Sequence, residues 1–87
     1  MSVKVYNFSC IKDLPKVIDI GLSDVSLSDI LDYLESEYQS ELKKTLLFDG
    51  KLTEKARVSI NGRSVYDLDV IIPDCSQLMF SLVLPGG

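Results

Sequence analysis

The spacing of the apolar residues changes twice along this chain, and this change limits the folds that it can adopt. Near the N-terminus, apolar residues such as Val3 and Val5 alternate with polar ones, which is the period of a half-buried strand. Further on they recur at the spacing of one helix face, at Leu27, Ile30, Leu31, Leu34 and Tyr38. Alternation returns at residues 56–60, so the pattern predicts one amphipathic helix between two groups of strands.

The first group of strands predicts a hairpin. Val3 and Val5, with Phe8 as a further candidate, are expected to face the core, and residues 16–22 repeat the alternation. Residues 12–15, Lys-Asp-Leu-Pro, lie between them and have the composition of a turn. The two segments are therefore expected to pair.

The helical pattern begins at a capping residue. Ser26 is a suitable N-cap and an acid follows in the first turn, so a helix is predicted over residues 27–38. Ser40 is predicted to cap a second, short helix from residue 41 to about residue 47. This helix is expected to carry its leucines inward and its lysines outward and to end at residues 49–51, Asp-Gly-Lys.

The second group of strands begins with a hairpin. Asn61-Gly62 is the strongest two-residue hairpin signal, and it joins residues 56–60 to residues 63–66. The next segment has no clear period, and residues 73–76, Pro-Asp-Cys-Ser, predict a turn.

The last strand is predicted over residues 77–84, the most apolar and β-prone stretch. Because nearly every position is apolar, we expect it to be buried on both faces at the centre of the sheet, parallel to the first strand. The expected fold is an α+β roll, a mixed β-sheet packed on one main helix in the order ββα(α)βββ. Residues 1–84 are expected to form a single domain, and residues 85–87 a flexible tail.

The composition argues against several classes of function. The chain has no histidine, the commonest zinc ligand and general base, and Cys10 and Cys75 lack a CxxC spacing, so both thiols are expected to be reduced and inert. The net charge of −4 argues against nucleic acid or an anionic membrane as partner; it would suit a basic protein surface, or it serves only solubility. No apolar stretch is long enough for a signal peptide or a membrane span, so a soluble cytoplasmic protein is expected.

The residue groups of a self-sufficient enzyme are also missing from the sequence. No Gly-rich phosphate loop, Ser/His pair, Cys/His pair or metal-ligand cluster occurs in it. Asp67, Asp69 and Asp74 are close in sequence, but loop carboxylates of this kind are usually solvated. The chain is therefore expected to bind no cofactor or metal and not to be an enzyme on its own.

Gly86 and Gly87 are the most informative residues for function. Because glycine has no Cβ, a strand that continues into Pro85-Gly86-Gly87 becomes a thin extended tip that can thread a narrow channel in another protein. The remaining candidate for chemistry is the carboxylate of Gly87, which must be activated from outside. Adenylation by a partner that uses ATP, followed by sulfur transfer, would leave a thiocarboxylate, whereas attack by a lysine amine would leave an isopeptide.

The order of elements, the Val-Ser-Ile-Asn-Gly-Arg hairpin at residues 58–63 and the Pro85-Gly86-Gly87 ending resemble those of the ubiquitin-like (β-grasp) sulfur carriers of the MoaD/ThiS family. The chain is most similar to the small subunit of molybdopterin synthase (MoaD-like), with the thiamin sulfur carrier ThiS as a relative. The segment from Ser40 to Lys55 is an insert that ThiS lacks.

This resemblance implies a reaction sequence and a set of partners. An adenylyltransferase of the ubiquitin-activating type would adenylate Gly87, the terminus would become a thiocarboxylate, and Gly86 and Pro85 would thread the partner's channel. The large subunit of molybdopterin synthase would then place the sulfur on a pterin precursor, with this chain as the small subunit. The predicted partner-docking residues stand near the tail, where core packing competes for them: Phe80, Leu82 and Leu84.

Two departures from the family pattern leave alternatives open. Family members commonly carry Gly-Asp-Glu before the last strand and an aromatic-proline stretch before the tail, where this chain has Asp-Cys-Ser-Gln at 74–77 and Ser-Leu-Val-Leu at 81–84. The acceptor pathway therefore stays open between molybdopterin, a tungsten cofactor, thiamin and cysteine. Two other functions also remain: a ubiquitin-like modifier whose Gly87 joins target lysines, and a β-grasp binding domain in which the glycines have no role.

Overall fold

The structure, a computed structural model, describes residues 2–8 and 11–82 of the chain. Within these residues the helices and strands follow the expected order, with additional two-residue strands. They are β1 (Val3–Asn7), β2 (Val17–Ile20), β3 (Val25–Ser26), α1 (Leu27–Tyr38), α2 (Leu42–Leu46), β4 (Leu47–Phe48), β5 (Lys51–Leu52), β6 (Ala56–Ile60), β7 (Arg63–Val65), β8 (Ile71–Ile72) and β9 (Gln77–Leu82).

The main sheet of the described residues has the order β2-β1-β9-β6-β7. Strand β1 pairs antiparallel with β2 and parallel with β9, while β6 pairs antiparallel with both β9 and β7. Both predicted hairpins are therefore confirmed. The parallel pairing of β1 with β9 at the centre, with Val5 opposite Leu78, is confirmed as well.

Strand β9 is not buried on both faces, so that prediction is wrong. Leu78 and Phe80 are fully buried, but the alternate residues Gln77, Met79 and Ser81 are exposed or half-buried. The reason is that the helices cover only one face of the sheet and leave the other face open. A nearly continuous apolar run here belongs to a strand with one covered and one open face.

Helix α1 follows the sequence prediction from cap to end. The Oγ of Ser26 accepts a hydrogen bond from the backbone N–H of Asp29 at 3.1 Å, and the helix ends at Gln39, which has a φ of 50°. Its apolar stripe packs on the sheet to form the core, except that Tyr38 at its end is partly exposed. The fully buried members of the stripe are Leu27, Ile30, Leu31 and Leu34.

Helix α2 lies where it was expected, but its predicted cap is wrong. Glu41 occupies the N-cap position and makes no side-chain cap bond. Ser40 instead turns inward, and its buried Oγ has no hydrogen-bond partner in the part of the chain that the structure describes. Leu42 and Leu46 are fully buried as predicted, because the helix must cover the edge of the core next to α1.

Asp49 and Gly50 form a hairpin turn rather than the end of a helix. Both have left-handed backbone conformations, with φ of 56° and 78°, and they join β4 to β5. Helix α2 stops earlier, at Leu46, because Leu47 already has an extended backbone.

The inward residues of β1 are Val3, Val5 and Asn7. Phe8, a candidate for the core, is 56% exposed, whereas Asn7 is 4% exposed. Strict alternation from Val5 places Asn7 inward, and hydrogen bonds to nearby backbone satisfy its amide. The core prediction for Phe8 is therefore wrong.

The segment without a clear period contains a short strand, β8, which pairs antiparallel with β3. This pairing holds the start of α1 in place, since the backbone N–H of Leu27 donates to the carbonyl of Val70 at 2.8 Å. Ser76 and its neighbours form the predicted turn before β9, with Cys75 at a φ of 63°. Among the helices of residues 2–8 and 11–82, none has the length and apolar character needed to cross a bilayer.

Candidate functional site

The residues to which the sequence assigns chemistry follow directly after β9. Leu82 is the last residue of this strand, and residues 83–87 come next in sequence. Gly87, Gly86, Pro85 and Leu84 lie outside the described residues, so their predicted roles stay predictions, and Cys10 lies outside them as well. The described part of the candidate site is therefore the end of β9 and the surface around it.

The residues predicted for docking on β9 have different surroundings. Phe80 is fully buried against the core, so its side chain is not available to a partner, and the docking prediction for it is corrected. Its inward orientation follows from alternation with the buried Leu78. Leu82 is 49% exposed at the end of the strand, which is compatible with its predicted role.

The open face of the main sheet, which we call the outer face, carries the exposed apolar residues nearest to this strand. Met79 on β9 stands in register with Tyr6 on β1, and Tyr6 in turn stands opposite Val17 on β2. Residues in register on neighbouring strands point to the same side, so the three side chains form a row across the sheet. Val17 is 51% exposed, and Tyr6 and Met79 are half-buried.

Phe8 extends this apolar row toward the end of β9. Its ring stacks on that of Tyr6, with ring centroids 6.4 Å apart and an interplanar angle of 10°. Its backbone N–H donates to the carbonyl of Phe80 at 3.0 Å, which fixes it beside β9. The outer face thus presents two aromatic rings close to the point from which residues 83–87 continue.

Sequence analysis missed this face, although the signal for it was present. Met79 and Tyr6 occupy the alternate positions of strands whose inward residues are Leu78 and Val5. If one face of β9 is taken as open, the same alternation places Met79 on that face. The continuous apolar run hid this, because periodicity cannot separate a strand buried on two faces from an apolar strand with one open face.

Few charges lie on the outer face. Lys4 and Asp19 stand opposite each other on β1 and β2, and their Nζ and Oδ1 atoms are 4.0 Å apart. Arg57 on β6 points outward and is exposed. The remaining outward strand residues are neutral and polar: Ser59, Ser64, Gln77 and Ser81.

Lys43 and Asp74, two groups away from the outer face, have shifted pKa values. The hydrogen bond to the Asp32 carboxylate raises the pKa of Lys43; desolvation opposes this rise, and the charges of Asp32 and Glu35 add to it. The hydrogen bond from the backbone N–H of Ser2 lowers the pKa of Asp74. Both are structural contacts, the first between α1 and α2 and the second between the N-terminal segment and the turn before β9.

Other features of the described residues offer no alternative chemistry. No group of three or more His, Cys, Asp or Glu side chains that could hold a metal ion occurs among them. An open depression of about 710 Å³ lies around β4 and β5, lined by a mixture of lysines, acids, threonines and apolar side chains. Its lining residues, which run from Lys44 to Lys55, include none of the outer face.

Comparisons of this fold with solved structures find close neighbours of similar size. CysO, in a structure of the BexX/CysO complex of Amycolatopsis orientalis, is 21% identical with a TM-score of 0.78, over 98% of this chain and 99% of that chain. The Haloferax volcanii protein HVO 2177 is 24% identical with a TM-score of 0.75, over 100% and 87%. SAMP1 of Haloferax volcanii, small archaeal modifier protein 1, is 18% identical with a TM-score of 0.74, over 100% of both chains.

At these identities the comparisons establish the fold. No protein-family model matches the chain, and no sequence relative is found among curated proteins. The chain has the ubiquitin-like β-grasp fold, so the fold predicted from the residues is confirmed. The resemblance to small ubiquitin-like proteins therefore holds at the level of the fold.

Proposed function

We propose that this chain is a ubiquitin-like sulfur carrier whose reactive group is the carboxylate of Gly87. The observation that carries the proposal is the course of β9. This strand is hydrogen-bonded on both sides at the centre of the sheet, shows Met79 on the outer face, and ends at Leu82 with residues 83–87 next in sequence. The β-grasp fold shared with SAMP1 and CysO supports the same function.

The first step is adenylation by a partner enzyme of the ubiquitin-activating type. An oxygen of the Gly87 carboxylate attacks the α-phosphorus of ATP, and pyrophosphate leaves. The product is an acyl adenylate, whose carbonyl carbon is electrophilic because AMP is a good leaving group. Sulfide then attacks that carbon, AMP leaves, and a thiocarboxylate remains at the terminus.

The outer face is the surface by which the activating enzyme holds the domain. The apolar row of Val17, Tyr6 and Met79, with Phe8 beside it, joins several exposed or half-buried apolar side chains. Contiguous apolar surface of this kind is typical of protein interaction sites. Because β9 carries Met79 and also leads to Gly87, binding at this face positions the terminus for entry into the partner's active site.

In its more specific form, the proposal makes the chain the small subunit of molybdopterin synthase. The large subunit would bind the same domain and accept sulfur for a pterin precursor. The resemblance of the hairpin at residues 58–63 and of the Pro-Gly-Gly ending supports this pathway. Thiamin, tungsten cofactor and cysteine synthesis are the alternative acceptors, since each uses the same terminal thiocarboxylate.

Protein modification is the second candidate function. The observation that favours it is the structural likeness to SAMP1, which is named as a modifier. In this case a lysine amine attacks the activated carbonyl of Gly87, the activating group leaves, and an isopeptide bond forms. Activation is common to both functions, and they differ in the nucleophile that follows.

The test is the mass of the protein after incubation with a candidate adenylyltransferase, ATP and sulfide. Methionine oxidation at Met1 or Met79 adds nearly the same mass as exchange of oxygen for sulfur, so the change must be localised to Gly87 by fragmentation. We expect a thiocarboxylate that iodoacetamide alkylates and that does not form without ATP. A chain that lacks Gly86 and Gly87 is the matched control.

The outcomes separate the candidates. A lysine adduct in place of the thiocarboxylate would assign the chain as a modifier. An unchanged terminus with every ubiquitin-activating-type enzyme of the source organism would contradict both functions and leave a binding domain.

A further inference from the structure

Charge is unevenly distributed between the two sides of the fold. The chain carries thirteen acidic and nine basic residues, a net charge of −4. Among the outward residues of the described main sheet, however, Asp19 is the only acid, and Lys4 and Arg57 are both basic. The outer face is therefore slightly positive on an acidic protein.

Arg57 is the charge of this face that has no partner among residues 2–8 and 11–82. Lys4 has Asp19 as a neighbour at 4.0 Å, but Arg57 makes no hydrogen bond or ion pair with any described residue. The exposed guanidinium offers a planar fork of donors that matches a carboxylate. Available arginines at the border of apolar surface are well suited to pairing with a partner.

The register of the sheet places Arg57 beside the end of β9. Arg57 stands opposite Ser81 on β9, and Phe8 lies on the other side of the same strand through its bond to Phe80. Neighbouring strands are about 4.8 Å apart, so the backbones at Phe8 and Arg57 are separated by about 10 Å. The row Phe8, Ser81, Arg57 is the outward row nearest to Leu82, the last residue of β9.

A partner on this face meets an apolar centre with a cation at its border. A partner carboxylate at this border would be attracted to Arg57, which favours one orientation of approach. The net charge of the chain is compatible with a basic partner surface, but the local charge of the outer face favours an acidic one. The charge of the outer face follows only from the register of the sheet, because the sequence by itself gives only the net charge of the whole chain.

We propose that the surface which binds the outer face is apolar at its centre and acidic at its border, and that a partner carboxylate pairs with Arg57. This inference rests on the proposed function, in which the occupant is the activating enzyme. The bond orients β9, the strand that leads in sequence to Gly87, relative to the enzyme's nucleotide site. Arg57 is thus a specificity-determining residue, without contact to the reacting atoms.

The experiment compares charge reversal at two exposed arginines. Arg57→Glu changes the outer face, whereas Arg63→Glu makes the same change on the same hairpin, at a position in register with the inward Ile60. The probe is the adenylyltransferase that adenylates the wild-type chain. The readout is ATP-dependent release of pyrophosphate at increasing salt concentration. Thermal unfolding of both variants shows whether each remains folded.

We expect Arg57→Glu to lower kcat/KM by about tenfold or more at low salt, through a higher KM with little change in kcat. The difference from wild type should shrink near about 1 M salt, where the Debye length is about 3 Å. Arg63→Glu should stay within about twofold of wild type, since it leaves the bound surface unchanged. Replacing the acidic residue of the enzyme that pairs with Arg57 by arginine should restore adenylation of the Arg57→Glu variant.

Two results would overturn the inference while the proposed function stands. One is a folded Arg57→Glu variant that is adenylated as fast as wild type. The other is an equal loss in both arginine variants, which would reflect total charge instead of a specific contact. Failure of the wild-type chain to be adenylated at all would remove the proposed function and this inference with it.

Discussion

The side chain of Asn7 and the backbone of Ile11 exchange two hydrogen bonds. Nδ2 of Asn7 donates to the carbonyl of Ile11 at 2.7 Å, and Oδ1 accepts from the N–H of Ile11 at 3.0 Å. Nδ2 also donates to the carbonyl of Leu14 at 3.1 Å. One buried amide thus ties the connection after β1 to the core, directly before Phe8 on the outer face.

Asn7→Leu is therefore expected to destabilise the fold. The substitution keeps the approximate volume but leaves buried backbone groups of Ile11 and Leu14 without these partners, which costs about 1–3 kcal/mol. Urea unfolding measures the change. Gln77→Leu, an exposed polar-to-apolar exchange on β9, is the control and should stay within about 0.5 kcal/mol of wild type. Equal stability of the two variants would contradict the structural role of Asn7.

Phe8 and Phe80 should respond in opposite ways to alanine substitution. Phe80→Ala removes a fully buried ring and should cost about 3–5 kcal/mol of unfolding free energy. Phe8→Ala should leave most of the stability but reduce kcat/KM for adenylation about tenfold, as expected for an aromatic docking residue. Calorimetry and pyrophosphate release measure the two effects. A large loss of stability in Phe8→Ala with an unchanged rate of adenylation would show that Phe8 belongs to the core and not to the outer face.

Ser26 should behave as a helix cap. Ser26→Ala removes the acceptor of the Asp29 N–H and should cost about 1 kcal/mol, whereas Ser26→Gly should cost only a few tenths of that amount. Ser28→Ala, two residues further on, is a matched control whose side chain takes no part in the cap. Thermal unfolding followed by circular dichroism distinguishes the three variants. A cost at Ser28 equal to that at Ser26 would argue against a capping role.

The helix face packed on the sheet can be tested by truncation. Leu31→Ala or Leu34→Ala should each cost about 2–5 kcal/mol, because both side chains are fully buried and their removal leaves a cavity. Such a loss is a large share of the stability of a small domain. Glu37→Ala, exposed on the same helix, should change the unfolding midpoint little. Similar midpoints for all three variants would show that a different face of α1 is packed.

Asp74 should contribute a pH-dependent part of the stability. Its pKa in the folded state is lowered, chiefly because its Oδ1 accepts the Ser2 N–H at 2.7 Å. The unfolded state binds this proton more readily, so the contribution is present above the ordinary aspartate pKa of about 3.9 and is lost as pH falls through the lower folded value. Urea midpoints should therefore fall less steeply over this acidic range in Asp74→Asn.

Asp49→Asn is the control for that pH profile. It removes a carboxylate from an exposed turn, where asparagine also tolerates the φ of 56°. The comparison separates the loss of the hydrogen bond at Asp74 from the loss of one acidic charge. If Asp74→Asn follows wild type, the hydrogen bond from Ser2 does not stabilise the folded state.

Much of the fold was predictable because its signals are local. The start of α1 depends on Ser26 and the three residues after it, and the hairpin between β6 and β7 depends on Asn61-Gly62. The short pairing of β3 with β8 was not predictable, since two residues are too few to show a period. The inward position of Ser40 was also missed, because a capping serine and a buried serine look alike in sequence.

The candidate site was predictable only in part. The sequence places Pro85, Gly86 and Gly87 at the end of the last strand, and that placement carries the proposed chemistry. It did not show that Phe80 faces the core while Met79 stands in register with Tyr6 on the open side. The proposed docking surface therefore lies on the outer face, and the buried Phe80 is not part of it.

The sequence by itself determined the helix and the two hairpins, because each depends on residues close together in the chain or on a repeated spacing. Only the tertiary structure decided which face of the sheet stays open and that Arg57 stands beside Ser81 on that face. The physical reason is that exposure depends on how many layers cover a sheet, and local charge depends on strand register. Both are properties of the assembled elements, which no single segment of the chain contains.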